Sequence, residues 1–351
     1  MKLEFERRSL TLSSPLETSY GAVGTRELLL VTLTGSDGAR GYGEAAPLEA
    51  YDGVSIERAQ AALELYAPIV ERSSALNGAQ MMEACQAEDD LPQALAAIDM
   101  ALWDRAGRRV GKPVAALLSD SFAASVPVNA TLTALDRANV LAQAVQAAED
   151  GFTCIKVKVG VGDDAGRVAA ARAGAGPQMA LRLDANGAWD VEEAVRTIEA
   201  LSPAGLELVE EPAHGLKAVS EIRGRVAVRV AIDETAGELG ALTSGVADAV
   251  CLKVSRCGGI GRLVAAAALV RATGAEVYLA SSLDGPLGVA AALHAAAALC
   301  SRGPMPHCGL ATLALFSDLD NPLPAKDGAI ALPTGAGLGV EPTYGSAVTS
   351  G

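Results

Sequence analysis

Apolar and polar positions follow two different rhythms along the chain. In the first third, KLEFERRSL (2–10), RELLLVTLTG (26–35) and ARGYGEAAP (39–47) read as strands, with GSDG (35–38) as a hairpin turn. Helix-period patterns follow at 54–72, 76–88 and 92–110. Strands followed by helices predict a small α+β domain over residues 1–120. From SVPVNATLT (125–133) onward, short apolar runs alternate with Ala-rich amphipathic stretches such as LAQAVQAAEDG, VEEAVRTIEAL and GRLVAAAALVRATG. The runs at 125–132, 154–160, 180–186, 206–212, 229–235, 249–255, 276–282 and 305–310 predict the strands of an α/β fold. That fold is a modified TIM-like (β/α) barrel of seven or eight strands over 121–315, preceded by the α+β capping domain. A doubly wound sheet would carry a glycine-rich loop after its first strand, and TLTALDRANV is not one. The Gly- and Pro-rich stretch 316–351 is expected to pack back on the cap.

Composition narrows the picture. At 351 residues the chain is long for a single core, and with 50% hydrophobic but only 3% aromatic residues that core must be Ala, Val and Leu packing. A formal charge of -14 excludes nucleic acid or an anionic membrane as the main partner. The cysteines at 85, 154, 251, 257, 300 and 308 form no C-x-x-C pair and sit in apolar stretches, as expected of reduced thiols. MKLEFERRSL is too charged for a secretory signal, and PLGVAAALHAAAALC (286–300) is too short to span a bilayer. A cytoplasmic protein is expected.

The strand ends carry the candidate chemistry. FTCIKVKVG ends a strand with Lys156 and Lys158 on one face, ALRLDAN ends with Asp184 and Asn186, LELVEEP with Glu210 and Glu211, RVAIDET with Asp233 and Glu234, and AVCLKVS with Lys253. The intervals from Lys158 to Asp184, Glu210, Asp233 and Lys253 are 26, 26, 23 and 20 residues, about one βα unit each. In a barrel these positions converge on the C-terminal mouth. Three carboxylates on adjacent strands repel one another unless a cation lies between them, and this oxygen set suits Mg²⁺. Lys158 and Lys253 then flank the trio as candidate acid/base groups. Lys156, beside Lys158, is expected to depress its neighbour's pKa by like-charge repulsion.

Together the motifs KVK, DAN, EEP, DET and LKVSRCGGI, with the N-terminal GYGEAAP, resemble the enolase superfamily and its muconate-lactonizing subgroup. The resemblance implies Asp184, Glu210 and Asp233 as Mg²⁺ ligands, Lys158 and Lys253 as the acid/base pair, and Lys156, Asn186, Glu211 and Glu234 as supporting residues. The shared reaction of that subgroup is proton abstraction next to a carboxylate, giving an enediolate. Members diverge into cycloisomerisation, racemisation or epimerisation, and dehydration. VYLASSLDGPLG and HCGLATLAL are most like o-succinylbenzoate synthases, which predicts a lyase of menaquinone biosynthesis with Ser281, Ser282 and Asp284 near the substrate. Dipeptide epimerase or N-acylamino acid racemase activity, or a muconate-type cycloisomerase, is the alternative. The D-x-D of dipeptide epimerases falls on Cys308-Gly309-Leu310, whereas Asp318 and Asp320 read as a later loop. The expected partner is a small-molecule carboxylate, and the resemblance implies a homo-oligomer, dimer or octamer.

Loops SPLETSYGAVGT (14–25) and APLEAYDG (46–53) are expected to cover the mouth. His214, His294 and His307 lack metal-ligand spacing, and CGGIGR (257–262) reads as a turn following the Lys253 strand. Two readings from other classes remain. A Schiff-base aldolase has no use for the carboxylate trio, and a non-catalytic scaffold has no use for the lysines.

Overall fold

The computed structural model describes residues 1–18, 21–72, 76–301, 303, 305–342 and 344. Strands β1 (Lys2–Thr18), β2 (Gly21–Thr34) and β3 (Arg40–Ala45) form an antiparallel meander. Their inner positions, including Leu29, Val31 and Leu33, pack on helices Ile56–Arg72, Gly78–Glu88 and Pro92–Val110 in a core of their own. The stretch 14–25, expected as a loop, is largely a continuation of the hairpin: Leu16 pairs with Val23 and Thr18 with Gly21, past an irregularity between Thr11 and Leu16. Residues 19 and 20 lie outside the described residues. Alternating burial of Leu10, Leu12 and Leu16 against the barrel extends the strand where turn-like composition suggests a break.

The expected strand 125–132 is divided. Strand β4 (Ser125–Pro127) pairs with β13 (Ala329–Ala331), itself paired with β12 (Ala325–Lys326), in a small sheet. Strand β5 (Ala130–Leu132) opens a curled seven-stranded parallel sheet with β6 (Cys154–Lys158), β7 (Ala180–Asp184), β8 (Leu206–Glu210), β9 (Arg229–Ile232), β10 (Ala249–Leu252) and β11 (Glu276–Leu279) in sequential order. This is the TIM-like fold with an N-terminal cap. The run 305–310 forms no eighth strand. Pro306 lacks the N–H a ladder requires, and only Cys308 and Gly309 bridge the gap, to Val128 and Ala280. Backbone bonds from Asn129 N to Cys308 O (3.0 Å) and Ser281 N to Gly309 O (3.1 Å) close the circle.

Aspartates start the helices that follow the strands. The side chains of Asp136, Asp163 and Asp190 accept from the backbone N–H groups of Asn139, Gly166 and Glu193. The C-terminal stretch contacts the N-terminal part of the chain. Phe316 bridges Leu12, and Leu338 N donates to Asp104 Oδ1 at 2.7 Å. All six cysteines are free, and no helix among the described residues is long and apolar enough to cross a membrane.

Two consequences are measurable. At Gly43 the helix Pro92–Val110 crosses β3 so closely that an added Cβ would lie 2.1 Å from the Ala97 carbonyl oxygen. Gly43→Ala is therefore expected to destabilise the protein by about 1–3 kcal/mol in urea unfolding, and an unchanged midpoint refutes the close approach. His294, fully buried in helix Pro286–Cys300, accepts from Ala115 N through Nδ1 (3.3 Å), with Nε2 3.0 Å from Leu338 O. Burial pushes its pKa down to about 4, so the folded state holds it neutral while the unfolded chain protonates below about 6.5. Its contribution is complete above the unfolded pKa and lost as pH falls toward the folded one. Between those values stability should fall by about 3 kcal/mol more in the wild type than in His294→Gln, as measured by urea midpoints across that range.

Candidate active site

The parallel register brings the strand ends to one level. Lys158 pairs with Asp184 across β6 and β7, and Asp184 pairs with Glu210 across β7 and β8. Asp233 follows the end of β9 and Lys253 the end of β10. Alternation turns these side chains inward, so five neighbouring strands deliver one polar cluster. Asp184 and Glu210 are each 1% exposed, and Asp233 and Lys253 6%.

The cluster is bound tightly by charge. Lys156 Nζ lies 2.7 Å from Asp184 Oδ2 and 2.8 Å from Glu210 Oε2. Lys158 Nζ donates to Asp184 Oδ2 at 2.6 Å and to Asn186 Oδ1 at 2.7 Å. Lys253 Nζ reaches both carboxylate oxygens of Asp233, Oδ1 at 2.6 Å. Burial pulls the Lys156 and Lys253 ammonium groups down, but the adjacent carboxylates outweigh it and both shifts are upward. The Lys156 charge is directed at Asp184 and Glu210. For Asp184 burial opposes ionisation, and the two lysines override it, holding the carboxyl below its usual range. Burial raises Glu210.

Around these residues the backbone is strained where the sequence gives no warning. Asn186 (φ 44) and Glu211 (φ 41) both occupy the left-handed region, a conformation that for Glu211 costs about 1–2 kcal/mol. Hydrogen bonds hold it there. Glu211 accepts from Asp233 N at 2.8 Å and Thr235 N at 3.1 Å, and lies 3.0 Å from His214 Nδ1. Asn186 Nδ2 donates to Glu234 Oε1 at 3.0 Å, and burial with nearby Asp233 pushes the Glu234 carboxyl up to about 8.

A cavity opens above the cluster. Lys156, Lys158, Asp184, Asn186, Asp233 and Lys253 form its floor. Ser281 and Ser282 also line it, with Thr131, Thr312, Leu283 and Leu315, and the cap contributes Leu16, Leu48 and Tyr51. Asp284 is not among the lining residues. Although expected near the substrate, it is buried among the Arg26 and Glu44 charges between cap and barrel, because the chain turns at Leu283 (φ 58). Ser281 Oγ is engaged by Thr312 Oγ1 (2.9 Å) and Asp284 N (3.1 Å), whereas Ser282 Oγ is buried without a partner among the described residues. His307 lies beside Thr153, at the opposite end of β6. Asp318 binds Thr11 N at 2.9 Å and does not line the cavity.

Tyr51 escaped the sequence reading. Its hydroxyl donates to Asp233 Oδ1 at 2.9 Å and accepts from Lys253 Nζ at 2.7 Å. Only its place in the APLEAYDG stretch, expected over the mouth, hinted at this. The residues fit a divalent cation. Three buried carboxylates, Asp184, Glu210 and Asp233, stand at neighbouring strand ends, and among the described residues Glu210 Oε1 is buried with no hydrogen-bond partner, as an oxygen reserved for an ion would be.

Comparison with known proteins agrees with this geometry. Residues 4–119 match the model of the mandelate racemase / muconate lactonizing enzyme N-terminal domain, and residues 139–346 match the enolase C-terminal domain-like model. The chain is similar to muconate cycloisomerase 1 of Rhodococcus opacus (32% identity over 94% of this chain and 92% of that one). It is also similar to the o-succinylbenzoate synthase of Thermobifida fusca (38%, over 57% of this chain and 64% of that one). Among solved structures, the dipeptide epimerase of Enterococcus faecalis V583 complexed with Mg and L-Leu-L-Tyr superposes with a TM-score of 0.88 at 25% identity, covering 96% of this chain and 98% of that one.

Removing one partner of a buried ion pair leaves the other uncompensated. Lys156→Met should therefore destabilise the metal-free protein by about 3–5 kcal/mol in urea unfolding. A loss below about 1 kcal/mol would mean that Lys156 does not balance Asp184 and Glu210.

Proposed function

The chain belongs to the mandelate racemase / muconate lactonizing enzyme family of the enolase superfamily, and from that premise we propose that it is a Mg²⁺-dependent isomerase. It removes the proton α to a carboxylate and returns one to the opposite face, with Lys158 and Lys253 as the two bases. One observation carries the reading: two lysine amines enter a single cavity from strands separated by β7, β8 and β9, with carboxylates between them. A planar enediolate held there has an amine on each face, and that arrangement serves racemisation or epimerisation. Asp184, Glu210 and Asp233 would hold Mg²⁺, which would supply positive charge to the substrate carboxylate.

The remaining residues support this division of labour. Asn186 orients Lys158, Tyr51 orients Lys253, and Glu211 fixes the Asp233 backbone. Tyr51, Leu16 and Leu48 place the cap over the cavity, excluding water from the exchanging proton. Among the described lining residues the only carboxylates are Asp184 and Asp233, and the only cations are the three lysines. A free substrate ammonium would have no counter-ion of its own. An α-substituted carboxylate with a neutral amide, such as an N-acylamino acid, fits better than a dipeptide with a free amine. Dehydration to o-succinylbenzoate is a second reading, supported by the 38% identity to the Thermobifida synthase.

The test is proton exchange in D₂O with Mg²⁺, using N-acylamino acids, dipeptides, cis,cis-muconate and the cyclohexadiene precursor of o-succinylbenzoate. Lys158→Ala and Lys253→Ala should each lose racemisation by at least about 10²–10⁴-fold, while each keeps deuterium exchange with one enantiomer only. Racemisation surviving in both variants overturns the two-base reading. Net loss of water from the cyclohexadiene, with no racemisation of any amino acid derivative, selects the second reading.

A further inference from the structure

We propose that Cys251 gives this centre a second mode of metal binding, in which a thiophilic divalent cation such as Co²⁺, Zn²⁺ or Cd²⁺ is held by Cys251, Glu210 and Asp233. The proposal rests on the reading of the strand-end carboxylates as a metal centre, and it assigns a residue that reading does not use.

The geometry is direct. One ligand atom from each of Glu210, Asp233 and Cys251 lies within 4.8 Å of the other two. Cys251 is on β10, two residues before Lys253, so both side chains face the barrel interior, with the thiol one layer further from the mouth. All three residues are buried. A second observation points to a missing ligand: Glu210 is 1% exposed, yet among the described residues its Oε1 has no hydrogen-bond partner. Asp184 is not part of this compact set; of its members, Asp233 is paired with Lys253, which a bound cation would displace.

Ligand chemistry separates the two modes. Mg²⁺ takes oxygen donors and near-octahedral geometry, and a thiol offers it little. Zn²⁺, Co²⁺ and Cd²⁺ accept mixed sulfur and oxygen donors, and Zn²⁺ favours a tetrahedral site with one position left for water. Coordination converts the Cys251 thiol to thiolate and releases one proton to solvent, so the ion replaces a proton rather than adding to a preformed anion. A soft cation drawn down to Cys251 leaves Asp184 paired with its lysines and Lys158 bound to it. Soft metals are then competitors of Mg²⁺ rather than substitutes.

The experiment is a Co²⁺ titration of the metal-free full-length chain followed by absorption. A near-ultraviolet thiolate-to-cobalt charge-transfer band is expected in the wild type. In Cys251→Ser the band should vanish and Co²⁺ affinity should fall by more than roughly tenfold, while Mg²⁺ still raises the urea midpoint of the variant as it does the wild type. A band of unchanged intensity in Cys251→Ser, or none in the wild type while Mg²⁺ stabilises it, overturns this proposal alone. Failure of Mg²⁺ to stabilise even the wild type overturns the carboxylate centre itself, and the proposal with it. Cys251→Ala, which lacks any donor, must behave as Cys251→Ser; a band that survives in it assigns the thiolate to another cysteine.

Discussion

Asp184, Glu210 and Asp233 are held almost without water at the mouth of the barrel, and the structure depends on balancing them. Buried carboxylates this close would favour protonation over ionisation, since burial alone drives each toward the neutral form. Three lysines offset the charge in the described structure: Lys156 between Asp184 and Glu210, Lys158 on Asp184, Lys253 on Asp233. The lysines a two-base reaction needs are thus also the groups that make the carboxylate cluster tolerable.

A surrounding layer keeps this balance in place. Glu211 is held in a left-handed conformation and in return fixes the backbone of Asp233 and Thr235. Asn186, also left-handed, links Lys158 to Glu234. Strain at two successive strand ends is tolerated because every strained residue is hydrogen-bonded to its neighbour, the arrangement expected where geometry is set by a site rather than by local preference.

The cap is tied to the barrel by buried polar groups. Arg26 donates to the carbonyls of Pro47 (2.7 Å), Ala46 (2.9 Å) and Leu283 (3.3 Å), joining the stretch that carries Tyr51 to the one that carries Ser281 and Ser282. Beside it, burial and the neighbouring Asp284 push the Glu44 carboxyl up to about 7, and Tyr344 donates to it. Asp284, which looks like a substrate contact by motif, is part of this joint.

The sequence by itself determined the fold class and the cluster. Alternating burial and βα spacing are one-dimensional properties, and in a parallel sheet equal spacing becomes equal height, so KVK, DAN, EEP, DET and the Lys253 strand had to meet. Spacing carries no information about which groups pair across the ring. Only the tertiary structure decided that Lys156 bridges two carboxylates, that Tyr51 from the cap meets Asp233 and Lys253, and that Asp284 turns into the joint with Glu44. The same holds for closure of the barrel at Cys308 and Gly309 without an eighth strand. Such contacts join residues far apart in the chain and depend on how packed backbones place them, which no local pattern of residue types encodes.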